Sequence, residues 1–303
     1  MKEWKENIKI AAKGIRTRVL EHTINNNGGY MSQACSSSEI LASLYLKIMN
    51  LPHMEKPLEP EPFPGVPAKD NNKYFTGAKF NGPHGPDYDR FFLSPSHYAL
   101  PVYAALIEVG RMSTKGLEKF NRDGSSVEMI GAEHSPGMEV TAGSLGQGLS
   151  QAAGISLARK LKGEKGMNWI FMSDGEFQIG MTWEALQVMS NFKLDNMGIY
   201  VDVNGQQCDG LITEVMNIEP LDKRIESFGA RVFSVDGHDI EALTKPSELP
   251  PDGRPLVVLA QTDPCRGLEP LRANAPKLHY LRFKSPDEKE LYAQALKDMK
   301  GKE

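Results

Sequence analysis

Apolar residues recur at helical spacing over residues 3–25, where Trp4, Ile8, Ala11, Ile15 and Val19 fall on one stripe and predict an amphipathic helix. The same period returns over 39–49, and the serine run Ser36-Ser37-Ser38 before it reads as its N-cap. The two helices frame Asn26-Asn27-Gly28-Gly29-Tyr30. Residues 52–88 then lose all periodicity; they are rich in proline and glycine but keep Phe63, Tyr74 and Phe80, which predicts an ordered excursion rather than a loose linker. From Ala99 the pattern alternates between helix and strand. A short apolar strand over 168–172 runs into the turn Ser173-Asp174-Gly175-Glu176. A helix follows through Trp183, Ala185, Leu186 and Met189, and then a second strand over 197–201. Further strands over 231–235 and 256–260 extend this βαβ unit. The fold class predicted is α/β: a doubly wound parallel sheet flanked by helices, forming one domain over 1–303.

Composition narrows the function. With 40% hydrophobic and 24% charged residues the chain has enough apolar material for a sizeable core. A formal net charge of -4, with both signs mixed along the chain, offers no basic face for nucleic acid or an anionic membrane. Residues 1–13 are charged and lack an apolar leader core, and no stretch reaches the roughly eighteen apolar residues of a membrane span, so a cytoplasmic location is expected. Cys35, Cys208 and Cys265 lie far apart and read as free thiols.

The chemistry begins where two neighbouring strands end in oxygen-bearing residues, Asp174 after the first and Asp202-Val203-Asn204 after the second. Mg²⁺ takes six oxygens and keeps water or phosphate among them, so a carboxylate, an amide and a main-chain carbonyl leave room for a diphosphate. Gly175 permits close backbone approach, and the helix after it offers its N-terminus to anionic oxygens. An EF-hand reading of Asp202-x-Asn204 fails, because Gln207 stands where that loop needs glycine.

These residues carry a resemblance. The run Ser173-Asp174-Gly175-Glu176, Asn204 thirty residues beyond Asp174, and Gln207-Cys208-Asp209-Gly210 resemble the thiamine diphosphate signature of transketolases. The run from Pro136 to Gly148 resembles the segment that reaches the cofactor, and Asp89-Arg90-Phe91-Phe92-Leu93-Ser94-Pro95-Ser96-His97 resembles the one with an active-site histidine. The resemblance implies the thiamine diphosphate-binding fold, with Asp174, Asn204 and the Gln206 carbonyl as ligands to Mg²⁺ (or Ca²⁺ or Mn²⁺). It places Ser96, Gly143, Ser144, Leu145, Gly175, Glu176 and Asn204 against the cofactor. It gives His97, His134, His279 and Tyr30 to proton transfer. The reaction implied is passage of a two-carbon ketol unit from a ketose, phosphorylated or otherwise anionic, to an aldose.

The departures are as informative as the matches. Tyr30 falls where transketolases have a histidine in a Gly-His-Pro-Gly run, and the segment Gly131-Ala132-Glu133-His134-Ser135 is shorter than the family's. Ile179 replaces a glutamate of an acidic network in which Glu184 is kept, and the 52–88 excursion is longer than usual. No pyrimidine-binding domain follows before Glu303. The resemblance therefore implies a partner that carries that domain on a separate chain, in an α2β2 assembly with exposed apolar surface on the isolated chain. Rival readings are the α-subunit of a 2-oxoacid dehydrogenase, a deoxyxylulose-phosphate-synthase-like enzyme and a non-catalytic cofactor-binding module.

Overall fold

A computed structural model describes residues 3–301. Five parallel strands form the central sheet in the order β1 (Arg90–Leu93), β2 (Asn168–Ser173), β3 (Met197–Val203), β7 (Leu256–Gln261), β6 (Arg231–Asp236). Between β3 and β6 lie a small antiparallel hairpin, β4 (Gln206–Gln207) with β5 (Gly210–Leu211), and the helices α6 (Ile212–Val215) and α7 (Leu221–Ser227). The other helices are α1 (Glu3–Asn25), α2 (Met31–Ser43), α3 (Ala99–Glu108), α4 (Gln147–Leu161), α5 (Gly180–Asn191), α8 (Ile240–Thr244) and α9 (Pro286–Gly301).

Successive side chains of a strand point to opposite faces, and here both faces are covered. Trp169 and Phe171 of β2 join one core with α1, α2, α3 and α8, whereas Ile170 and Met172 join a second core with α4, α5 and α7. The crossover β2–α5–β3 runs one way along the sheet and β6–α8–β7 runs the other. Right-handed crossovers of opposite direction place their helices on opposite faces, which is how the sheet becomes doubly wound. None of the described helices is long and apolar enough to cross a membrane.

One expectation is corrected, and one strand is added. Ser36, Ser37 and Ser38 do not cap a helix; they lie inside α2, where their hydroxyls donate back to the carbonyls of Gln33 and Ala34. Strand β1 arises within a segment singled out only for its histidine, and it pairs along its whole length with β2. At the C-terminal end α9 packs along α1, buries Tyr292 and joins Lys300 to Glu21 at 2.7 Å. The 52–88 excursion packs onto the domain. Leu58 exchanges backbone hydrogen bonds with Arg111 and Ser113, and Phe80 is buried, although Phe63 stays 41% exposed. At Gly77 a Cβ would lie 1.7 Å from the Ser135 carbonyl oxygen, so only glycine lets the excursion close on residues 133–138.

Candidate active site

The parallel register places the carboxyl ends of β1, β2 and β3 side by side, and each runs into a functional segment: Ser94 to Tyr98, Asp174 to Gln178, and Asn204 to Gln206. A cleft of about 330 Å³ opens over them. Tyr30, Ser96, His97, Gly143, Leu145, Gly175, Asn204, Gln206 and His279 all line it, so segments dispersed over the chain meet in one place.

Asp174 is 1% exposed and lines, with Asn204 and Gly205, a pocket of about 360 Å³ that adjoins the cleft at Asn204. Its Oδ1 accepts from the Gly175 N–H at 2.9 Å and its Oδ2 from the Gly205 N–H at 2.9 Å. Burial, and then the nearby charge of Asp202, push its carboxyl up to about 8. Asp202 is itself fully buried. It accepts from the hydroxyls of Ser36, Thr262 and Tyr98 and from the Asn204 amide at 3.1 Å. The Asn204 Nδ2 also donates to the Tyr98 hydroxyl at 3.0 Å. The amide nitrogen is thereby turned to the interior, and the opposite end of the group, Oδ1, is held at the Gln206 N–H at 2.9 Å.

Two buried carboxylates so disposed favour a cation. No cluster of three or more His, Cys, Asp or Glu side chains suited to a metal occurs among the described residues. The donors available are instead one carboxylate, one amide oxygen and main-chain carbonyls. That set fits a hard divalent ion that retains positions for phosphate oxygens, and does not fit zinc. Tyr98 is the hinge of the arrangement, and Tyr98→Phe removes both of its hydroxyl's bonds. Cofactor affinity in the assembled enzyme is expected to fall about tenfold, as for the loss of a ligand-orienting group, with the fold intact. An unchanged affinity would reduce Tyr98 to packing.

One wall of the cleft is aromatic. The rings of His97 and His279 lie 5.0 Å apart between centroids, and Tyr30 approaches them at 5.7 and 5.4 Å. The Gln33 amide donates to the His279 carbonyl at 3.1 Å and fixes that segment over α2. Burial lowers both imidazoles, His97 to about 3 with His279 adding to the effect, so both are neutral near pH 7. Burial raises the Tyr30 phenol, which keeps its proton.

Three predicted residues sit elsewhere. His134 is buried away from the cleft, with Nε2 3.2 Å from the Glu128 carboxylate and its ring against Phe63; the shortened loop before Pro136 turns it toward the excursion. Ser144 is exposed outside the cleft lining. Glu176 does not face the cleft but is fully buried, accepting from Ser94 Oγ, the Gly146 N–H at 3.1 Å and the Ser173 N–H at 3.1 Å. It ties β1, β2 and the start of α4 together, and it holds Gly146 in the left-handed conformation (φ 83°) that aims Gly143 and Leu145 into the cleft. No sequence signal points to Ser36, Tyr98 or Thr262 as site residues, since their common partner Asp202 is remote from all three along the chain. Ile179 lines the cleft beside Gly146, whereas Glu184 is exposed on α5.

Comparison with known proteins agrees with this geometry. The family described as "Transketolase, thiamine diphosphate binding domain" matches residues 71–263. A transketolase family protein of Sinorhizobium fredii is 35% identical over 275 residues, which is 89% of this chain and 88% of that one. A subunit of the apulose-4-phosphate transketolase of Actinobacillus succinogenes is 29% identical over 299 residues, 97% of both chains. Among solved structures, the transketolase of Campylobacter jejuni superposes with a TM-score of 0.73 at 20% identity, over 97% of this chain but only 48% of its own. The chain thus has the fold of, and spans about half of, that longer enzyme. It belongs to the transketolase family, and what it shares with that family is the thiamine diphosphate-binding domain.

Proposed function

We propose that this chain is the thiamine diphosphate-binding subunit of a two-subunit, cytoplasmic transketolase, which moves a two-carbon ketol unit from an anionic ketose to an aldose. The observation that carries this reading is the meeting of Asn204 and Gln206 with the His97–His279–Tyr30 wall over one cleft, with Asp174 buried in the pocket that adjoins it at Asn204 and bonded to the Gly205 N–H. Thiamine diphosphate, when bound, supplies the cleavage and re-formation of the bond between the ketol carbons and the rest of the sugar. The chain's own part is positioning and proton transfer. Asp174, the Asn204 Oδ1 and the Gln206 carbonyl would hold Mg²⁺ and through it the diphosphate, with Gly175 and the Gly143–Leu145 turn closing on the cofactor. Neutral His97 and His279 would take and return protons at the sugar oxygens, and the Tyr30 hydroxyl would donate a hydrogen bond where relatives use an imidazole.

The partner follows from the surface. Met181 and Val188 of α5 and Phe192 at its C-cap are 38, 45 and 48% exposed, and Leu145 and Ile179 add exposed apolar area at the cleft rim. An end-to-end match with a protein whose own name makes it one subunit of a transketolase supports a separate second subunit that carries the pyrimidine-binding domain, in an α2β2 assembly. The test is titration calorimetry of thiamine diphosphate with Mg²⁺, on this chain alone and with the subunit that copurifies with it. Tight binding only in the complex, followed by ketol transfer, is expected. Absence of binding in both would leave a fold without the chemistry, and equal tight binding to the isolated chain would remove the need for a partner.

A further inference from the structure

Gln33 lies in the first turn of α2, is 3% exposed, and lines the cleft together with His279. The orientation of its side-chain amide follows from its neighbours. One end lies 3.1 Å from the His279 carbonyl oxygen and the other 2.9 Å from Ser32 Oγ. An amide oxygen that close to a carbonyl oxygen would repel it, so the end toward His279 is the nitrogen, and Oε1 accepts from the Ser32 hydroxyl. The same nitrogen is 3.3 Å from His279 Nδ1. Of its two hydrogens, one goes to the carbonyl and the other to the ring.

A neutral imidazole carries a single proton, and a ring nitrogen that accepts from an N–H cannot be the one that holds it. Burial keeps His279 neutral, so its proton sits on Nε2, which makes no hydrogen bond to any described residue. His97 differs. Among the described residues its ring has aromatic neighbours but no hydrogen-bond partner, and either tautomer is open to it. The backbone beside Gln33 is also tied down by other means. Gly29 and Leu281 exchange hydrogen bonds at 3.0 Å in both directions, and the Ser32 hydroxyl reaches the Leu278 carbonyl at 2.8 Å. Those bonds remain when the Gln33 amide is lost, and what the amide alone supplies is a donor at one ring nitrogen.

We infer that Gln33 is a positioning residue, which fixes His279 in the tautomer with its proton on Nε2. His279 then meets a sugar oxygen as a hydrogen-bond donor, and His97 is the imidazole that takes a proton first. The two histidines are alike in burial and share one wall, and the Gln33 amide is what divides their tasks. The inference rests on the proposed function for the identity of the substrate, but the tautomer can be read without it.

The experiment has two arms. In the first, the nitrogen NMR spectrum of the full chain with isotope-labelled histidine is recorded, and the His279 signals are assigned by their loss in His279→Asn. A protonated Nε2 and a bare Nδ1 are expected. In Gln33→Leu, which removes the donor, the proton should be shared between both nitrogens; in Gln33→Glu, whose carboxylate only accepts, it should move to Nδ1. In the second arm, Gln33→Leu in the assembled complex should lower kcat about 10- to 100-fold, the range for losing a partner that orients a histidine, with thiamine diphosphate affinity within about twofold. A proton on Nδ1 in a wild-type complex that transfers ketol units would overturn the inference and leave the proposed function standing. A tautomer that follows Gln33, in a complex whose ketol transfer is unmoved by Gln33→Leu, would make the bond structural and would overturn the positioning role as well.

Discussion

Asp174→Ala is expected to abolish Mg²⁺-dependent retention of thiamine diphosphate, lowering affinity in the complex by at least about 100-fold, beyond the range seen when only a ligand-orienting group is lost. The carboxylate is buried and receives only two backbone N–H bonds, while Asp202 behind it is satisfied by four donors. Asp174 is thus the group with negative charge left over for a cation. The substitution should not harm the apo fold. Without metal, burial and Asp202 disfavour the Asp174 charge, so removing it relieves an unfavourable interaction rather than a contact the sheet depends on. In melting experiments, Mg²⁺ with thiamine diphosphate should raise the transition of the wild-type complex and leave that of the variant unmoved. An equal upward shift in both proteins would sink the metal assignment, and a variant that melts far below the wild-type apo protein would show Asp174 to be structural.

Four of the five sheet strands are legible in the sequence because each is a continuous apolar run bounded by turn chemistry, and both features are local. Strand β1 is not. Arg90–Leu93 is only four residues long, and its identity as a strand depends on β2, which lies some seventy residues on. The residues proposed to hold the metal are legible for the same local reason: polar residues directly after buried strands lie at the edge where ligands bind in such sheets. What supports them is hidden. Ser36 sits in a run that reads as a cap, yet its hydroxyl reaches Asp202 across a sequence separation of 166. Glu176 reads as a neighbour of the phosphates from its position in the motif, but only the fold shows that Ser94 and Gly146 occupy both sides of its carboxylate. His134 marks the limit of reasoning from motif order. It keeps its place before the Pro-Gly pair, and a shorter loop delivers its ring to Phe63 instead of the cleft.

His97→Ala should cost turnover rather than cofactor binding, with kcat falling by about 10²- to 10³-fold while thiamine diphosphate affinity stays within about twofold, the range for losing one proton-transfer group. The side chain sits between Tyr30 and His279 and takes no part in the hydrogen bonds that hold Asp174 and Asn204, so removing it leaves the proposed metal donors in place. Its protonation state adds a second readout. Burial and the neighbouring His279 hold the folded imidazole down at about 3, whereas the unfolded one titrates near its ordinary 6.5. Below 6.5 the unfolded chain therefore binds a proton that the folded chain refuses. Stability tied to His97 is complete above about pH 6.5 and is lost progressively as pH falls toward about 3. The alanine variant should show a shallower loss of stability with acid than the wild type over that window. Within the enzyme the same neutrality means that kcat should carry no inflection near 6.5 from this residue, because its imidazole is already in the base form throughout the working range. If cofactor affinity alone fell, with turnover restored at saturating cofactor, His97 would be a binding group and its proton-transfer role would be wrong. If the acid limbs of the two proteins coincided, the ring would not be shielded as its burial between Tyr30, Tyr98 and His279 requires.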